Sequence, residues 1–97
     1  MLIKIHDSYR KVIAVCDSEL IGKKFEEGKM QLDVRENFFK GEEISDGEAI
    51  RLFQKERENY ATFNIVGVHS VKIALGAGII SKGNVGEVDG VPFALLF

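Results

Sequence analysis

Cys16 stands beside Asp17, and the chain has two histidines, His6 and His69, that could serve it as a base. A thiol at the end of a strand, ahead of a helical turn, faces open backbone amides that favour the thiolate, and an imidazole within reach would complete a nucleophilic pair. The plainer alternative packs Cys16 as a small hydrophobe and uses Asp17 as the cap of the turn. Buried free cysteine is common, which favours that alternative. His6, Asp7, Cys16, Asp17 and His69 are also the residues a metal would need, but no H-x-x-H, H-x-x-x-H or C-x-x-C spacing joins them. No metal or other cofactor is expected.

The run Asn64-Ile65-Val66-Gly67-Val68-His69-Ser70 offers a different chemistry. A glycine between a strand and a helix start lets open amides face outward, which suits an anion or phosphate, and Ser70 and Lys72 could add donors beside Asn64. The competing explanation is that Gly67 makes the turn and Asn64 satisfies backbone groups. Gly76-Ala77-Gly78 follows a helix rather than a strand, so it is not a dinucleotide fingerprint.

Four loop-borne cations form the third candidate. Arg10-Lys11 and Lys23-Lys24 would make one basic patch if their loops met at the same end of the fold, with Tyr9 and Phe25 available to stack on the bases of RNA. Against this, Glu26-Glu27 follows at once, and paired loop charges are usually only solvated.

These residues need elements to place them. Residues 2–7 and 11–17 alternate as strands, the second apolar on both faces, and the short link Ser8-Tyr9-Arg10 suggests an antiparallel hairpin. Residues 17–22 predict one helical turn, capped by Asp17 and closed by Gly22. Phe25 and Gly28 fall in a charged loop, residues 30–34 form a half-buried strand, Phe38-Phe39 precedes a turn at Lys40-Gly41, and residues 42–44 make a weak strand. Ser45 and Glu48 have capping-box spacing and open a helix to about Asn59, with Ala49, Ile50, Leu52 and Phe53 as its apolar stripe. A buried strand over 61–66 and a helix over 68–77 follow. Asp89-Gly90 then turns a hairpin between residues 85–88 and 91–96, and Pro92 predicts an edge or bulged position for the last strand.

Composition sets the frame. The 97 residues are 45% hydrophobic and 29% charged, as expected of one folded domain rather than a disordered or low-complexity chain. Thirteen basic against fifteen acidic side chains give a net charge of −2, without the strong positive balance of many nucleic-acid binders. The longest uncharged run, residues 59–71, is too short for a membrane span, and the first residues hold no apolar signal core. A single cysteine allows no internal disulfide and predicts a reduced, cytoplasmic protein. Glu and Lys are plentiful while Gln31 and Gln54 are the only glutamines, a bias in the hyperthermophile direction.

The segments Cys16-Asp17, Ile21-Gly22-Lys23-Lys24-Phe25-Glu26-Glu27-Gly28 and Phe38-Phe39-Lys40-Gly41-Glu42 resemble a small archaeal family of about this length. Asn64-Ile65-Val66-Gly67, Val71, Gly78 and Gly90-Val91-Pro92 extend the resemblance over nearly the whole chain. The family is the domain of unknown function numbered four hundred and twenty-four. The resemblance implies an archaeal, cytoplasmic origin and brings no activity or catalytic residue with it. The family pattern carries an acidic residue where this chain has Val68 and a histidine where it has Phe93.

The expectation is an α+β fold. Residues 1–97 make one domain, a mixed sheet with N- and C-terminal hairpins and two main helices on one face. The leading functional expectation is a non-enzymatic binding module for RNA or the translation apparatus, using Arg10, Lys11, Lys23 and Lys24. An enzyme or small-anion binder built on Cys16, Asp17 and the Asn64, Gly67, Ser70 and Lys72 junction is the alternative. A homodimer pairing through the C-terminal strand, Phe93-Ala94-Leu95-Leu96-Phe97, is the third.

Overall fold

Strands β1 (Leu2–His6) and β2 (Val12–Cys16) form the antiparallel hairpin that their alternation predicts, in register from Leu2 opposite Cys16 to His6 opposite Val12. The computed structural model describes residues 1–97. Alternation sends Ile13 and Val15 to one face and Ala14 and Cys16 to the other. All four are fully buried, so β2 is apolar on both faces because both faces of the sheet are covered.

After β2 the chain makes one 3-10 turn (Ser18–Leu20), then a two-stranded ribbon of β3 (Lys24–Glu27) and β4 (Met30–Asp33). A four-residue helix α1 (Glu36–Phe39) and a two-residue strand β5 (Glu42–Glu43) follow. Helix α2 (Asp46–Glu58) then crosses over the sheet to β6 (Thr62–Val66), which pairs parallel with β2. Helix α3 (Val68–Gly76) leads to a second hairpin, β7 (Val85–Val88) and β8 (Val91–Leu96). The main sheet runs β5-β1-β2-β6-β8-β7. It is a mixed α+β sheet with a hairpin near each end of the chain and two main helices, as the patterning predicts.

Helices α2 and α3 cover one face, where Ile13, Val15, Phe53, Phe63, Ile65, Val71, Ala74 and Ala94 form the larger core. Phe53 and Phe63 meet edge to face at 5.9 Å. Leu2, Ala14, Cys16, Val34, Phe39 and Val66 form a smaller core on the opposite face, under the ribbon and α1. Gly41 lets the chain lie against β1 there, because a Cβ at that position would sit 2.0 Å from the Ile3 carbonyl oxygen. No helix is long and apolar enough to cross a membrane.

Capping explains where α2 begins and ends. The Glu48 amide donates to Ser45 Oγ, and Ser45 Oγ donates to the Glu48 carboxylate rather than the carboxylate reaching back to the Ser45 amide. At the far end the Ala61 amide returns to the Glu56 carbonyl and the Tyr60 amide to the Arg57 carbonyl. Tyr60 takes the left-handed position of that cap, with φ of 62°.

Three sequence expectations change. Residues 24–27 are a strand and not a loop; three of the four are charged, because the ribbon buries only the Phe25–Leu32 side. The last strand is not at an edge: β8 lies between β6 and β7, and β5 and β7 are the edges. Pro92 is tolerated because its carbonyl accepts from the Gly67 amide. N–H and C=O of one residue point to the same side of a strand, so the donor Pro92 lacks would face the Gly67 turn and not a ladder partner. The C-terminal strand is therefore not the sheet edge through which a homodimer was expected to pair. Ala94 is fully buried and Leu96 packs on the larger core, leaving Leu95 and Phe97 exposed. Finally, Asp17 makes no side-chain cap on its own 3-10 turn.

Candidate functional site

Asp17 caps a different helix. Its Oδ1 accepts from the Ser70 amide at 2.8 Å and from Ser70 Oγ at 2.7 Å, and its Oδ2 accepts from the His69 amide at 3.1 Å. Parallel pairing of β2 with β6 makes this possible. It puts Cys16 level with Val66, so Asp17 arrives beside Gly67 and the first turn of α3. The amides expected to receive an external anion thus receive a carboxylate of the same chain, which also suits the positive end of the helix. Gly67 is required twice over: its φ is 111°, and a Cβ there would lie 2.3 Å from the Asp17 carboxyl carbon. Lys72 is exposed on α3, across the sheet from Asn64.

Cys16 has neither access nor a base. It is fully buried, and burial followed by the neighbouring Asp17 charge pushes its thiol up to about 11. His6 lies opposite Val12, four residues from Cys16 along the ladder, or about 13 Å. The His69 ring pairs with Asp46 Oδ1 at 2.7 Å. A thiolate nucleophile has no support in this arrangement.

The four loop cations are divided by the sheet. Arg10 and Lys11 precede β2, where Arg10 Nε donates to the Tyr60 carbonyl at 2.8 Å and Lys11 Nζ approaches Glu56 at 3.5 Å. Lys23 and Lys24 lie beyond the other end of β2, where the Lys23 amide bonds to the Leu20 carbonyl and Lys24 Nζ is 3.6 Å from Glu26. The two pairs sit at opposite ends of one strand and form no common patch.

A cleft opens instead on the sheet face away from the main helices. Its volume is about 490 Å³, in the range of small-molecule sites. The floor is made by His6, Asn64, Val66, Phe93 and Leu95 from β1, β6 and β8, and the wall by Leu32, Asp33, Arg35, Asn37, Phe38 and Phe39 from the ribbon and α1. Alternation explains the floor, since Asn64 and Val66 share the face of Ala14 and Cys16. The Phe93 ring lies over Gly86, its partner on β7, where a Cβ would meet it at 2.8 Å.

Asn64 is the unusual member. Strand β6 is central and apolar on either side of it, yet its side-chain amide has no hydrogen-bond partner in the protein and faces the cleft. A central strand position of this kind is ordinarily apolar, and a free amide there is placed to pair with an entering group. At the mouth, the exposed Arg35 has its Nε 3.1 Å from Asp33 Oδ2. Phe38 stacks on His6 at 4.7 Å, and His6 Nε2 pairs with the Phe38 carbonyl at 2.9 Å. A carbonyl only accepts, so Nε2 carries a proton and donates it. Lys4 Nζ donates to the Asn37 carbonyl at 2.9 Å. Lys4 and His6 thereby hold the open carbonyl end of α1 against β1 and fix the wall.

Of the residues singled out in the sequence, His6 and Asn64 line this cleft, and Gly67, Ser70, Lys72, Cys16 and Asp17 do not. Arg35 and Phe38 were missed, and Phe93 was read only as part of a pairing strand. The available signal was Asn64 itself, a polar residue in an apolar strand. Phe93 lines the cleft, and Val68 is exposed on the first turn of α3.

The family model described as "Protein of unknown function (DUF424)" matches residues 5–97. The fold is similar to that of a solved structure described as an uncharacterized conserved protein from Methanopyrus kandleri, with a TM-score of 0.86. That similarity covers 98% of this chain and 88% of the other at 24% identity. Comparison with curated proteins found no match.

Proposed function

The chain belongs to this family of unknown function, and we propose that it is a non-catalytic binding module whose cleft takes an unpaired nucleotide, free or within an RNA strand. The observation that carries the reading is the free amide of Asn64 in a floor otherwise made by Val66, Phe93, Leu95 and, at its β1 side, His6. A nucleobase presents a flat apolar face and a hydrogen-bonding edge. The Phe93 ring and the side chains of Val66 and Leu95 suit the face, and an amide, which both donates and accepts, suits the edge. Arg35 at the mouth suits the phosphate, with its Asp33 partner exchanged for the stronger anion. The net charge of −2 and the divided loop cations argue for capture of one or two nucleotides rather than for binding along a duplex.

Calorimetric titration with nucleoside monophosphates, the matching nucleosides and short single-stranded RNA tests this. Saturable binding by at least one base type is expected. Asn64→Ala should weaken nucleotide and nucleoside alike by about tenfold, roughly one good hydrogen-bonded contact. Arg35→Gln should weaken the nucleotide and leave the nucleoside unchanged. RNA binding tighter than the monophosphate, with a shallow salt dependence of one or two phosphates, would identify the strand as the source of the nucleotide. No binding by any of the three ligand types would end the proposal.

A further inference from the structure

Tyr9, Phe97 and Tyr60 are the three most exposed of the large apolar side chains, at 104%, 81% and 73%. The other six aromatic rings are buried or half-buried. Strand register brings all three exposed rings to one end of the sheet. Tyr9 lies in the turn between His6 and Val12. Val12 is level with Thr62 on the parallel strand β6, so Tyr60, just ahead of β6, reaches the same end. Phe63 lies opposite Leu96, so Phe97 follows there as well. Arg10 Nε, donating to the Tyr60 carbonyl at 2.8 Å, ties the Tyr9 turn to the end of α2. None of the three rings pairs with another aromatic ring, so their faces are free. Tyr60 is also held at a cost. It takes the left-handed cap of α2, with φ of 62°, where glycine or asparagine fits best and a bulky side chain is strained. Its ring belongs to neither core.

We infer that this end of the sheet is a stacking surface for the single-stranded RNA whose nucleotide enters the cleft, an inference that rests on the nucleotide reading of that cleft. The cleft reaches this end through His6, the last residue of β1, and through Leu95. Alternation along β8 puts Phe93, Leu95 and Phe97 on one face, with Phe97 about 7 Å beyond Leu95. A strand leaving the cleft therefore meets the exposed rings next. Every base has a flat apolar face, and an exposed aromatic ring stacks on it whatever the sequence. Separate rings on a turn, a helix end and a strand end suit successive bases of a flexible strand, whereas a docked protein asks for one contiguous apolar core. Stacking also needs no basic track, in keeping with the net charge of −2.

Titration of the full chain with short single-stranded RNA of each base type, beside the matching nucleoside monophosphates, tests this. At least one RNA should bind more tightly than its monophosphate. Tyr9→Ala and Tyr60→Gly should each weaken the RNA by about fivefold or more, the low end for a stacked base, and leave the monophosphate unchanged. Tyr9→Phe should keep the RNA affinity, because the ring and not the hydroxyl does the stacking. Tyr60→Gly should melt no lower than the parent, since glycine suits the positive φ, so lost RNA binding there is not lost folding. The inference is overturned if no RNA binds, if RNA binds no tighter than its monophosphate, or if both ring variants bind RNA like the parent. The cleft reading survives each of these results provided that Asn64→Ala still weakens the monophosphate. RNA binding that needs the tyrosines and ignores Asn64→Ala would uphold the stacking surface and overturn the cleft.

Discussion

Cys16 and Asn64 face the same side of the sheet on neighbouring strands, and what covers each decides its chemistry. Val34 and Phe39 are packed in the same small core as Cys16, so the thiol is sealed. Asn64 lies where the wall stands off and the sheet is open. Two outcomes follow for the thiol. A soluble disulfide reagent should react with it in the native protein only at the rate of opening or unfolding, and stoichiometrically in denaturant; fast reaction of the folded protein would contradict the packing. The second outcome concerns pH. The thiol ionises near 9.0 when unfolded and near 11 when folded, so its contribution to stability is complete below pH 9 and is lost as the pH rises toward 11. The loss should amount to about 2–3 kcal/mol in chemical denaturation, and Cys16→Ala should remove that part of the pH dependence.

Among the elements, the contact that ties the parallel strand pair to a helix is the Asp17 cap on α3. Asp17→Ala leaves the Ser70 hydroxyl and two amides without their acceptor, and a loss of about 1–3 kcal/mol in denaturant melts is expected. Gly67→Ala should cost on the order of 2 kcal/mol or more, because it adds strain at positive φ to a clash with the same carboxylate. If either variant melted like the parent, the cap would not be the anchor of α3. Removing the ring and Nε2 donor with His6→Ala should free the end of α1. Amides of residues 36–39 should then exchange faster, with the sheet amides unchanged. The elements carrying these contacts were unequally visible in the sequence. Strands β1, β2, β6, β7 and β8 and helices α2 and α3 announce themselves by period, capping box or Asp-Gly turn. The ribbon and α1 do not, because short, charged elements with a single buried side carry little periodic signal. Since these make the cleft wall, Asn64 was found and Arg35 and Phe38 were not. The target of the Asp17 carboxylate also lay out of reach, as it depends on β2 and β6 being parallel neighbours across 50 residues.

At the scale of the whole molecule, the sheet is sealed by two helices on one face and only partly roofed on the other, where a cleft opens beside the smaller core. The division of the basic residues between opposite ends removes the extended patch that the sequence suggested and concentrates the case for nucleotide binding on one cleft. The most direct measurement is an NMR map of the amide and side-chain signals shifted by a saturating nucleoside monophosphate. The account predicts that the largest changes fall on the Asn64 side-chain amide and on the backbone of His6, Arg35, Phe38 and Phe93, and are absent in Asn64→Ala. An unshifted Asn64, with changes confined to the Arg10–Lys11 or Lys23–Lys24 loops or with none at all, would contradict it.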